Sequence, residues 1–140
     1  MTIAYDPSNV FARILRGELP AYKVYEDDRT LAFMDIMPAA DGHALIIPKV
    51  ACRTLLDCPE DDLAATILTT RKIAIAAKAA FEADGITLSQ FSEAAGGQEV
   101  FHLHFHVIPR QTGDRLRPLP RAFADKDLLA EHAERLRAAL

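Results

Sequence analysis

The sequence predicts an α+β fold built around a mostly antiparallel sheet. Three features carry that prediction: short strand-like runs bounded by turn formers, one long uninterrupted helical stretch, and a shorter helical stretch at the end. In order, "VFARILRGELP" has apolar residues at 10, 11, 14 and 15, a short helix stopped by Gly17 and Pro20. "AYKVYED" and "TLAFMDI" read as strands joined by the polar Asp27-Asp28-Arg29, hence a hairpin. "MPAADG" is a turn, and "HALIIPK" a further strand ended by Pro48. From Pro59 to Asp84 no breaker interrupts, and positions 63, 67, 70, 74, 77 and 81 step by four and three. That spacing predicts a long amphipathic helix buried along this stripe. Glu60, Asp61 and Asp62 fill its first turn, where negative charge complements the helix dipole, and Gly85 is placed to cap its end. "ITLSQFSE" reads as a strand, "AAGGQ" as a loop and "FHLHFHVI" as the last strand. An irregular arm, "PRQTGDRLRPLPRAFAD", leads to a final helix from about Lys126, with Leu129, His132, Ala133 and Leu136 along one stripe.

Composition narrows the function classes. The 140 residues suit one domain spanning 1–140, long enough to bury a core without metal or disulfide staples. Half the residues are hydrophobic, and the net charge of −4 gives no basic footprint for nucleic acid. No window approaches the ~18 consecutive apolar residues of a membrane span, and the N-terminus does not read as a signal peptide. Cys52 and Cys58 lie outside any C-x-x-C pattern, which fits reduced thiols and a cytoplasmic protein.

The chemistry concentrates in "FHLHFHVIPR". Three of the five histidines, His102, His104 and His106, recur at every second position. On a strand they share one face while Leu103, Phe105 and Val107 point to the other. Imidazoles stacked in a dry core would leave donors and acceptors unmatched, so the histidine face is expected to line a cleft. Two functional readings follow. Alternating imidazoles can hold a divalent metal, with Glu99 the one carboxylate close by. Alternatively, one imidazole acts as a nucleophile whose neighbours set its tautomer. "AAGGQ" then offers backbone amides and Gln98 to a phosphate, and Arg110 adds positive charge at the far end.

"HLHFHVI" matches the signature His-φ-His-φ-His-φ-φ, where φ is apolar, of the HIT (histidine triad) superfamily of nucleotidyl hydrolases and transferases. "NVFARILRGELPAYKVYEDDRTLAFMDIMPAADGHALIIPK" resembles the N-terminal half of that family and "GGQEVFHLHFHVIPR" its C-terminal half. The resemblance covers a core of about residues 8–114, leaving 115–140 as a C-terminal arm and helix. It is closest to the small phosphoramidase-like branch, while "PRQTGD" is similar to the dinucleoside polyphosphate hydrolase branch.

The resemblance implies a HIT-like fold, with a five-stranded antiparallel sheet, a long central helix and a C-terminal helix, in a homodimer. It also implies a reaction that needs no cofactor and no metal. His104 attacks the α-phosphorus of a nucleoside 5′-phosphoryl compound, and water then releases the monophosphate from a covalent nucleotidyl-histidine. His102 and His106 flank it as donors, and His43 matches a fourth family histidine contacting the cluster. Asp35 matches the acid that binds the ribose hydroxyls. Phe11, Ile14, Phe33 and Ile36 match residues that sandwich a purine, and Gln98 matches a contact to the bridging atom. Glu99 and Val100 complete the implied nucleotide-binding set.

Two departures from the family pattern stand out. Many bacterial relatives hold a structural zinc with C-x-x-C and a histidine after "IPK"; here those positions are Asn9, Ala12 and Ala51. Relatives usually have asparagine and glycine where this chain has Phe91 and Glu93, which puts the usual loop contacts to phosphate and ribose in question. Four functions stay open on the residues: a phosphoramidase-like hydrolase, a dinucleoside polyphosphate hydrolase, a nucleotide-binding regulatory module with weak turnover, and a metal-dependent strand enzyme.

Overall fold

The computed structural model describes residues 3–140. The first helix, α1 (Val10–Leu15), starts at Asn9, whose side-chain oxygen accepts from the Ala12 N–H and caps the helix. Strands β1 (Lys23–Glu26) and β2 (Thr30–Met34) form the predicted hairpin. Its turn is organised by Asp27, whose Oδ1 accepts from the Arg29 and Thr30 amides and from the Thr30 hydroxyl. Strand β3 (Ala44–Pro48) follows, then helix α2 (Glu60–Ala80), β4 (Gly85–Ser89), β5 (Phe105–Arg110) and helix α3 (Lys126–Ala138). The sheet has five strands in the order β1-β2-β3-β5-β4, and every neighbouring pair is antiparallel.

The pleat sorts residues between two faces. Ala32, Met34, Ala44, Ile46 and Val107 point towards α2 and α3 and form the main core with Ile73, Ala76, Ala77, Leu129, Ala133 and Leu136. Leu31, Phe33, Leu45 and Ile47 point to the opposite face and pack with Phe11 of α1. Leu45 pairs directly with His106, so this second face carries the histidines. The C-terminal stripe predicted for α3 is the one buried: Leu129, His132, Ala133 and Leu136.

The buried stripe of α2 differs from the predicted one. The residues turned inward are Thr66, Thr69, Thr70, Ile73, Ala76 and Ala77, while Ile67, Leu68 and Ile75 face outward. Small side chains let the helix lie close to the sheet. The threonines are satisfied locally, Thr66 and Thr70 on backbone carbonyls one turn back and Thr69 on Thr30 at 2.8 Å. Nor does Gly85 cap the helix, because it already opens β4; the left-handed residue after α2 is Glu82, at φ 47°.

The last strand is also shorter than predicted, starting at Phe105 rather than Phe101. Extending its register with β3 would set Leu103 opposite Pro48, which has no N–H to give to a ladder. The Pro48 carbonyl takes the imidazole of His102 instead, at 2.8 Å. His102 and His104 therefore precede the regular strand. "ITLSQFSE" likewise stops pairing at Ser89.

Candidate active site

Hydrogen bonds fix the tautomers of the four clustered histidines. His102 donates Nε2–H to the Pro48 carbonyl, so its Nδ1 accepts from the Tyr5 hydroxyl at 2.6 Å. The ring is fully buried with both nitrogens engaged. The expectation that His102 donates to phosphate is corrected by this geometry: its backbone carbonyl is the part facing the next histidine, accepting His104 Nδ1–H at 2.7 Å. His104 is thereby left with its lone pair on Nε2. On the other side, His43 Nδ1 accepts the Ala39 N–H at 2.9 Å, so His43 carries its proton on Nε2 and donates to His106 Nδ1 at 2.9 Å. His106 must then carry its own proton on Nε2. Among the described residues no buried side-chain nitrogen or oxygen lacks a partner. The two unpaired ring nitrogens, His104 Nε2 with a lone pair and His106 Nε2 with a proton, therefore reach solvent.

Burial keeps these rings neutral. It pushes His43 down to about 3 and His106 to about 4, each reinforced by neighbouring positive charge, and it lowers His102 and His104 as well. At neutral pH the cluster thus holds a free base beside an N–H donor. Asp35 lies 3.5 Å from His43 and is pushed up to about 6, chiefly by burial, although its Oδ1 accepts the Met37 N–H at 2.8 Å.

The residues matched to a purine slot divide into floor and rim. Phe11 and Phe33 are buried with their rings 5.4 Å apart, edge to face, and Phe11 lies edge-on to His104 at 4.9 Å. Ile14 and Val100 pack partly exposed against this cluster, and Ile36 is exposed. Glu99 is exposed, and its negative charge reaches His104 and Asp35. Gln98 is buried, with its amide used internally: Oε1 accepts from Glu93 N–H and Nε2 donates to the Arg53 and Val100 carbonyls. It organises the loop rather than offering a free donor. The Gly96, Gly97 and Gln98 amides also close on carbonyls of Glu93 and Ala94, so the expected cradle of loop amides is turned inward. Arg110 pairs with Asp114 and Thr87, away from the histidines.

Both loop departures acquire a physical meaning. Glu93 sits at φ 66°, ψ 162°, a conformation for which glycine is the natural residue. Its carboxylate is gripped by Arg53 through bonds of 2.9–3.1 Å, and Arg53 in turn stacks on Phe101. Phe91 covers His106 edge-on at 5.6 Å. Tyr5 and Arg53 contact the cluster and its loop, and the charge of Arg121 reaches Asp35, His43 and His106; sequence reading missed all three.

Asp35, His43 and His106 bring three potential ligand atoms within 4.8 Å of one another. The tautomers argue against a cation there. Ligation through His43 Nε2 would move its proton to Nδ1, against the Ala39 N–H already pointing at that atom. Positions of the family's structural zinc do not fit one either: Asn9 caps α1, Ala12 is packed and Ala51 has no donor. Cys52 and Cys58 are free, with thiols pushed up by burial.

Comparison with known proteins places this geometry. The HIT domain family matches residues 16–113. The chain is similar to a Hit-like protein of Bartonella henselae, with a TM-score of 0.92 and 51% identity, covering 98% of this chain and 100% of that one. It is also similar to a zinc-bound histidine triad family protein of Mycobacterium smegmatis, with a TM-score of 0.84 and 38% identity, covering 94% and 92%. Among curated relatives, the adenylylsulfatase HINT3 of Arabidopsis thaliana is 42% identical over 107 residues, 76% of this chain and 54% of that protein. Taken with the triad and the five-stranded sheet, these matches make the chain a member of the HIT superfamily.

Proposed function

We propose that this protein is a nucleotidyl hydrolase or transferase acting at the α-phosphate of purine nucleoside 5′-phosphoramidates or related adenylates. The observation that carries the reading is the hydrogen-bond chain, which leaves one imidazole lone pair, on His104 Nε2, beside one N–H donor, on His106. In the first step that lone pair forms a bond to the α-phosphorus. The bond from phosphorus to the leaving group breaks and the leaving group keeps the electron pair, an amine leaving group taking up a proton from solvent as it departs. His104 retains Nδ1–H, and the His102 carbonyl stabilises the resulting positive charge, making His102 a positioning residue. His106 Nε2–H donates to a phosphoryl oxygen. Water then attacks phosphorus, the electron pair of the N–P bond returns to Nε2, and a water proton passes to solvent as the monophosphate leaves.

Asp35 accepts from the ribose hydroxyls, the base lies on Phe11, Phe33, Ile14, Val100 and Ile36, and Gln98 holds the adjoining loop. The similarity to an adenylylsulfatase supports an adenylate substrate. Release of AMP from adenosine 5′-phosphoramidate and from an aminoacyl-adenylate, with and without chelator, tests the reading. Release insensitive to chelator is expected. Loss with chelator would favour metal chemistry, and binding without release would leave a nucleotide-binding module.

Two further properties go with this reading. The purified protein should contain no stoichiometric zinc, since Asn9, Ala12 and Ala51 supply no ligand set. Elemental analysis finding about one zinc per chain would contradict it. The chain should also form a homodimer through β4 and the outer face of α2. Strand β4 is an edge of the sheet, and Leu88, Leu68 and Ile75 are at least half exposed there. Light scattering should give twice the mass of one chain, and Leu68→Lys should lower it; a wild-type monomer at micromolar concentration would refute the dimer.

A further inference from the structure

The arm after β5 does not run free; it folds back over the turn joining β2 to β3. The Arg117 amide bonds the Ala39 carbonyl at 2.9 Å, its guanidinium reaches Pro38 O and Asp41, and the Ala124 amide bonds Ile36 O at 2.9 Å. These contacts bracket Arg121 on both sides. They hold it over the same turn that supplies Asp35 and the amide fixing His43. Arg121 is half-buried, and its Nε donates to the Arg117 carbonyl at 3.1 Å. Among the described residues no carboxylate pairs with it, so its terminal nitrogens remain available.

We propose that Arg121 determines leaving-group specificity, binding a leaving group that carries negative charge, so that adenylates with an acidic partner on the α-phosphate are preferred. The inference rests on the transfer reading above and names the substrate class of that site. Four charges besides those of the reacting groups act on the cluster, one of them the exposed Asp57, which acts on His102. Arg117 is neutralised by Asp41, and Glu99 is exposed and screened by water. Arg121 is the less screened, unpaired one, and its charge reaches Asp35, His43 and His106 together.

The chemistry of departure points the same way. His106 accepts the His43 proton on Nδ1 and offers its own Nε2–H only as a neutral donor, so an amine must draw the proton it leaves with from solvent. A sulfate or phosphate needs none. When the P–O bond to sulfate breaks, the sulfate oxygen keeps the electron pair and departs as a stable anion, whose charge a guanidinium can receive directly.

The test compares kcat/KM for adenosine 5′-phosphosulfate, with an anionic leaving group, and adenosine 5′-phosphoramidate, with an uncharged one. Arg121→Gln should lower the first by about tenfold or more, the factor expected for one charge-assisted hydrogen bond, and move the second by less than about threefold. Arg121→Lys should keep most of the preference, because the charge is retained. An equal fall on both substrates, or no change on the phosphosulfate, would overturn the proposal while leaving nucleotidyl transfer standing. Wild-type protein that releases AMP from neither compound overturns the transfer reading and this inference with it.

Discussion

His104→Ala should lower turnover by about a thousandfold or more while nucleotide still binds. The size of the effect follows from the tautomers. No other ring nitrogen in the cluster can replace the missing nucleophile: both nitrogens of His102 and of His43 are engaged, and His106 accepts on Nδ1 and carries a proton on Nε2. Removing the nucleophile of a covalent route leaves only binding and electrostatic help from the remaining groups. His106→Ala removes a donor rather than the attacking atom and should cost less, about a hundredfold. Steady-state AMP release and a binding titration on both variants check the ranking. Near-normal turnover in His104→Ala, with the large loss in His106→Ala, would show that the nucleophile is misassigned.

Asp35→Asn should weaken nucleotide binding and, at the same time, stabilise the free protein. The carboxylate is raised from 3.8 to about 6 by burial, so keeping it ionised in the folded state opposes folding by up to about 3 kcal/mol at neutral pH. The sign follows from proton binding. Between 3.8 and about 6 the folded state holds this proton and the unfolded state releases it, so stability falls as pH rises through that window and levels off above it. Asparagine keeps the bond to the Met37 amide without the charge. Denaturant unfolding should therefore find the variant more stable above pH 6 and equal to wild type below about pH 4. Binding should move the opposite way. The preference for AMP over its 2′,3′-dideoxy analogue should fall about tenfold, as a charged acceptor becomes a neutral one. Using that ratio cancels titration of the phosphate itself. In wild type the same preference should decline as pH drops through about 6, where Asp35 takes up its proton. A variant less stable than wild type at pH 7.5 would contradict the cost of the buried charge, and a wild type that binds both nucleotides equally would remove Asp35 from the ribose site.

What the sequence revealed, and what it hid, separates along local and long-range physics. The triad was legible because its spacing is local to one short stretch of chain, although only His106 lies on the regular strand, and α3 was legible because its large residues are the ones buried. The buried face of α2 was not. There, threonines satisfied on their own backbone pack against the sheet and the aliphatic Ile67, Leu68 and Ile75 turn outward, so hydrophobicity pointed to the wrong stripe. The start of β5 depends on Pro48, more than fifty residues away, and Tyr5 meets His102 across 97 positions of chain. Neither contact leaves a local signature. Glu93 was visible as a departure, but only the fold supplies its left-handed backbone and its anchor, Arg53. Gln98 was found in the right place and given the wrong partners, because a sequence match cannot say whether an amide points into a cleft or back into its own loop.

The central claim is that transfer proceeds in two displacements through His104. The most direct measurement is the stereochemical course at phosphorus, using an adenylate made chiral at the α-phosphate by sulfur substitution and hydrolysed in isotopically labelled water. Two in-line displacements, first by His104 Nε2 and then by water, invert phosphorus twice, so the account predicts net retention of configuration. Net inversion would mean that water attacks the substrate directly, and that His104 is not the nucleophile.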